Sequence, residues 1–153
     1  MRGVIARYAR PALLALFSDH KRLLTWLEVE LAVCAAMEAL PDSPIPMGTA
    51  GRLRAACATL GPEGPINPER VLEIEQQTQH DVIAFLTHLE ERLGADVRFL
   101  HLGLTSSDVV DTALAVVLRD AATLVLEGLE GRLLPALKLQ ALKHQRTVMM
   151  GRS

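Results

Sequence analysis

The segment from Ser107 to about Arg146 limits the fold most, because it keeps one helical rhythm across its whole length. Val110, Leu114, Val117, Ala121 and Leu124 step by four and three, the heptad spacing of a bundle seam. Gly128, Gly131 and Pro135 weaken the run. Pro135 is expected to bend it rather than end it, since apolar spacing resumes at Leu137 and Leu142. A helix with that much apolar flank is stable only against partner helices, and the rest of the chain predicts too few to cover it. The reading is all-α, with this helix a member of a larger bundle.

The upstream punctuation agrees. Ser18 is a predicted N-cap with Asp19 in the first turn, and Leu23, Leu24, Trp26, Leu27, Leu31, Val33, Cys34 and Met37 recur at helical spacing up to Pro41. Three prolines between Pro41 and Pro46 exclude helix there, and a short helix follows over roughly Met47–Leu60. Asn67-Pro68 is a second start, a cap followed by proline in the first helical position. That helix carries Val71, Leu72 and Ile74 and fades in the polar run Gln76–Gln79. Another follows with Val82, Ile83, Phe85, Leu86 and Leu89 on its apolar side and Gly94 as its stop, and Ala95–Leu104 is expected to be a partly extended linker. Half of the 153 residues are apolar but only 3% are aromatic, which suits helices packed through aliphatic seams.

Composition also excludes function classes. A net charge of −2 with both signs interspersed gives no footprint for nucleic acid or an anionic membrane. The N-terminal Arg2, Arg7 and Arg10 with the apolar run up to Phe17 lack a small-x-small cleavage site, and no stretch reaches the ~18 apolar residues of a membrane helix. Cys34 and Cys57 form no C-x-x-C pair and are expected to be buried free thiols, consistent with a cytoplasmic protein. No two histidines have the i, i+4 spacing of a metal site, and no P-loop, G-x-S-x-G or G-x-G-x-x-G is present, so neither metal nor cofactor is expected.

The residues that could carry chemistry cluster near the start of the long helix. Thr105, Ser106 and Ser107 follow Gly103 and precede the helical run, and Thr105 with Asp108 fits the capping-box pattern. A helix mouth presents unpaired N–H groups and partial positive charge, so three hydroxyls there make an anion seat, although simple capping is the commoner use. His80 sits between a polar run and a helix start with Asp81 beside it, and imidazole, with an ordinary pKa of about 6.5, moves protons at neutral pH. Capping alone would also explain it. His101 precedes the hydroxyl run, whereas His20, His88 and His144 are read as surface residues. Asp108 and Asp111 are read as helix-start charges, and Arg7-Tyr8-x-Arg10-Pro11 as a basic-aromatic cluster of ordinary composition.

Arg7–Pro11, Trp26–Glu30, Thr78–Phe85, His101–Ala113 and Val148–Ser153 together resemble, in order and spacing, the adenylosuccinate lyase family of the fumarase/aspartase superfamily. The resemblance implies an all-α homotetramer. Residues 1–106 would be a small helical N-terminal domain, and residues 107–153 the start of a central helical bundle shared between subunits. It also implies a C–N lyase of purine (AMP and IMP) biosynthesis that releases fumarate by β-elimination from adenylosuccinate and from the succinyl-carboxamide ribotide. Arg7 and Tyr8 match nucleotide-contacting positions, with Arg7 on phosphate. Gln79, His80 and Asp81 match a substrate-binding triplet in which His80 also assists proton transfer, and the family often has arginine or asparagine where Gln79 stands. Thr105 and Ser106 match carboxylate binders, and His101 another active-site histidine. The family continues past Met-Met-Gly-Arg-Ser with a catalytic His-Gly and, further on, a serine-bearing loop. The chain therefore reads as an N-terminal fragment, expected to be inactive alone. A carboxymuconate cycloisomerase, another fumarate-releasing lyase, or a non-catalytic helical interaction module are the alternatives.

Overall fold

The structure, a computed structural model, describes residues 8–61 and 64–151. The described residues are built from α1 (Pro11–Leu16), α2 (Asp19–Glu38), α3 (Thr49–Thr59), α4 (Pro68–Thr78), α5 (Asp81–Leu93), a 3-10 turn over Ala95–Phe99, α6 (Ser106–Gly128), a π-helical turn over Leu129–Leu133, and α7 (Leu134–His144). They fall into two compact units, Met1–Val117 and Leu118–Ser153. Among the described residues no helix is long and apolar enough to cross a membrane.

The first unit is built around α2. Its stripe of Leu23, Trp26, Leu27, Leu31 and Cys34 is buried, and α5 answers it with Val82, Phe85 and Leu89. Trp26 and Phe85 meet edge to face, with ring centroids 5.5 Å apart and planes at 89°. Burying side chains of this size contributes roughly 1.5–3 kcal/mol each, so this cluster dominates the unit's stability.

Local chemistry sets the helix ends. The Ser18 hydroxyl accepts from the Lys21 N–H at 3.2 Å and the Asn67 side chain from the Arg70 N–H at 3.0 Å, as their sequence context predicts. Helix α3 starts instead from Gly48, at φ 84°, which has no side chain to cap with. The Glu38 carboxylate at the end of α2 accepts from the Ala50 N–H at 3.1 Å and supplies the missing acceptor.

Four features differ from the sequence reading. The segment after Gly94 is a 3-10 turn rather than extended, placing Val97 and Leu100 in the core. Helix α6 buries Val109, Ala113, Val117 and Ala121, so Val117 and Ala121 of the expected seam are buried while Leu114 is 50% exposed. Periodicity fixes which residues share a face, but the neighbours select the face, and small Ala113 suits a close approach. His88 is 2% exposed rather than a surface residue. Its Nε2 accepts from the Asn67 N–H at 3.0 Å, and burial pushes its pKa below the ordinary value. Finally, Cys34 is buried but Cys57 only half-buried; burial raises the pKa of both thiols.

In the second unit, the Leu134 N–H reaches back five residues to the Leu129 carbonyl, making the π turn. Pro135 follows within the first turn of α7, so the wide turn absorbs the register change that proline imposes. Val125, Leu126, Leu129, Leu133, Leu134, Leu137, Leu139 and Leu142 are all between 44% and 64% exposed.

Candidate active site at two helix mouths

Within the first unit the N-termini of α5 and α6 come together. Gln79 ends α4 in the left-handed conformation, at φ 54°, which turns the chain sharply and makes His80 the N-cap of α5. The His80 Nδ1 accepts from the Ile83 N–H at 3.3 Å. Its Nε2 lies 3.4 Å from the hydroxyl of Ser106, the first residue of α6. With Nδ1 accepting, the neutral ring carries its hydrogen on Nε2 and offers it to Ser106 Oγ. The N-cap of α5 and the first residue of α6 thus meet, each at the partly positive end of its helix.

The surrounding carboxylates are tied down. Asp81 Oδ1 accepts from the Val82 N–H at 2.7 Å and lies 3.6 Å from His80 Nδ1. Asp108 Oδ2 accepts from the Thr105 N–H at 2.8 Å and from the Thr105 hydroxyl at 3.1 Å. These bonds from Thr105, with His101 acting in the same direction, hold the Asp108 carboxyl below its usual pKa. Half of the capping box is therefore formed: the acid reaches back, but the threonine hydroxyl points to it rather than to the helix.

His101 begins the turn that leads into α6. It has φ 60°, its carbonyl accepts from the Leu104 N–H at 3.3 Å, and Gly103 follows at φ 73°. Both its backbone N–H and its ring Nδ1 lie 2.7 Å from the carboxylate of Glu30, which is fully buried on α2. Sequence reasoning passed over Glu30. The available signal was an acidic residue three places after Leu27 and four before Cys34, on the stripe that α2 buries.

Of the residues singled out from sequence, His80 and Ser106 are in contact, Asp81 lies 3.6 Å from His80, Thr105 bonds Asp108, and the His101 ring is bonded to Glu30. The Gln79 side chain folds back to the Gln76 carbonyl at 2.8 Å. Tyr8 is 74% exposed, and Arg7 lies outside the described residues. A separate groove of about 300 Å³, bordered by Leu24, Leu27, Leu31, Arg54 and Cys57, contains none of these groups. Among the described residues no three His, Cys, Asp or Glu side chains gather as metal ligands.

The arrangement places an imidazole and a hydroxyl side by side at the starts of two helices, groups suited to an anionic ligand. The chain is 45% identical over 150 residues to the adenylosuccinate lyase of Synechocystis sp. and 39% identical over 150 residues to that of Bacillus subtilis. Each match covers 98% of this chain and 32% of the relative, so the chain spans about a third of the length of these curated relatives. The crystal structure of a fumarate lyase from Mesorhizobium sp. BNC1 superposes with a TM-score of 0.80 at 28% identity, over 99% of this chain and 34% of that one. The lyase family profile matches residues 6–153, and on that match the chain belongs to the lyase family.

Proposed function

We propose that the chain contributes part of the active site of an adenylosuccinate lyase, which releases fumarate from adenylosuccinate to give AMP and from the succinyl-carboxamide ribotide to give its carboxamide, and that the 153 residues alone do not catalyse the reaction. The observation that carries this reading is the meeting of His80 and Ser106 at two helix mouths, in a chain 39–45% identical to adenylosuccinate lyases along nearly its whole length. In the elimination a base removes a proton from the succinyl carbon, the C–N bond breaks as the C=C bond forms, and an acid protonates the departing nitrogen. Negative charge builds on the succinyl carboxylate, which the α6 mouth and the Ser106 hydroxyl suit. Thr105 binds the same carboxylate once its donors turn from Asp108.

In this reading His80 passes a proton through Nε2, Asp81 and Gln79 bind substrate beside it, and His101 completes the histidine set. Arg7 pairs with the nucleotide phosphate and Tyr8 lies against the nucleotide. The reaction uses neither metal nor cofactor. Residues 107–153 begin a central bundle, and the open apolar face of the second unit suits the homotetramer of the family, working in the cytoplasm without nucleic acid or membrane. The similarity to a solved fumarate lyase supports fumarate as the product over the muconate cycloisomerase alternative.

The test is a titration of the chain with AMP and with succinate, followed through amide resonances. Shifts centred on His80, Asp81 and Ser106 are expected. Shifts absent there, or spread over unrelated surfaces, would overturn the assignment.

A further inference from the structure

Glu30 is fully buried among Leu27, Leu31 and Cys34. A carboxylate in such a place is tolerated only when its oxygens are well bonded. Both oxygens here go to one residue 71 positions away: Oε2 accepts from the His101 N–H at 2.7 Å, and Oε1 meets His101 Nδ1 at 2.7 Å. The first bond helps hold His101 in the left-handed conformation that non-glycine residues seldom adopt. The second fixes the ring's chemistry. An ionised carboxylate only accepts, so Nδ1 must carry the hydrogen, leaving Nε2 of the neutral ring as an acceptor.

His80 is arranged the other way, because its Nδ1 accepts from the Ile83 N–H and its Nε2 therefore donates toward Ser106. We propose that Glu30 is a positioning residue that locks His101 in the Nδ1–H tautomer, so that the fold presents two imidazoles of opposite sense, His80 as donor and His101 as acceptor. The use of this pair in substrate binding or proton passage rests on the lyase reading above; the tautomer itself does not.

The experiment is ring 15N–1H correlation NMR on the chain with labelled histidine, at a pH where the rings are neutral. His101 is expected to show a pyrrole-like Nδ1 and a pyridine-like Nε2. In Glu30→Gln the backbone N–H can only donate, so the glutamine oxygen must face it and the amide NH2 must face Nδ1. The ring then has to accept at Nδ1, and its two 15N positions exchange character. A wild-type His101 protonated on Nε2 overturns the proposal, and so does a folded Glu30→Gln variant with unchanged ring signals. The wild-type spectrum decides the matter even if the variant fails to fold. Adding AMP and succinate to the same sample separates the two readings: a correct tautomer with no ligand response at His80 or His101 sinks the lyase assignment alone.

Discussion

Leu89 on α5 and Leu139 on α7 are the same side chain on helices of similar length, yet the first is fully buried and the second is 64% exposed. The contrast extends to their units. In the first, α2, α3, α5 and the start of α6 close on one another, and the buried side chains of Thr25, Thr49 and Glu30 are hydrogen-bonded, while His88 is bonded through Nε2 and its buried Nδ1 has no hydrogen-bond partner among the described residues. In the second, the aliphatic stripe of α7 lies open and Leu133, at its N-cap, forms no side-chain cap. Apolar content is therefore a poor guide to what a segment contributes. The same leucine stabilises the chain in one unit and, in the other, offers surface that an assembly would bury.

The largest expected effect breaks this comparison most directly. Phe85→Ala should cost about 3–5 kcal/mol, through lost burial and the cavity left against Trp26. Leu139→Ala should stay within about 0.5 kcal/mol. Chemical denaturation of both variants checks it, and equal losses would mean that the α7 face is covered in solution.

A second expectation concerns pH. Burial lowers the His88 pKa below 6.5 in the fold, so the unfolded ring binds its proton at higher pH than the folded one. Stability from this group is therefore full above about pH 6.5 and is lost as pH falls toward the folded value, with a slope of at most about 1.4 kcal/mol per pH unit. Glu91, whose Oε2 lies 4.0 Å from Nδ1, opposes the shift without cancelling it. Denaturation midpoints at pH 7 and pH 5 should differ in the wild type and converge in His88→Gln; a wild-type midpoint unchanged between the two would refute the assignment.

A further change sharpens the contrast at helix ends. Asn67→Ala should cost about 1 kcal/mol, lowering Tm by about 4 °C for a unit of this size. A thermal melt reads it directly. No such cap exists on α7 to remove.

The parts of the fold legible in the sequence are those that local chemistry decides. Ser18 and Asn67 cap because a short polar side chain precedes a helical run, and Pro135 distorts its helix because it lacks an N–H. The burial of His88, the choice of Val109 and Ala113 over Leu114, and the Glu30–His101 bond depend on which helix lies opposite, which spacing within one segment does not encode. The candidate site divides along the same line. His80 and Ser106 were each visible as helix starts, and family resemblance gave them a joint role. Their 3.4 Å contact depends on how the chain brings the starts of α5 and α6 together.

The His80 ring has one nitrogen committed to architecture and the other turned toward Ser106. Scaffold and reagent are therefore a single side chain, and any replacement that silences Nε2 also frays the first turn of α5 unless it keeps an acceptor for the Ile83 N–H. Asparagine keeps one and alanine does not, so the difference between those two replacements isolates what the imidazole adds beyond anchoring.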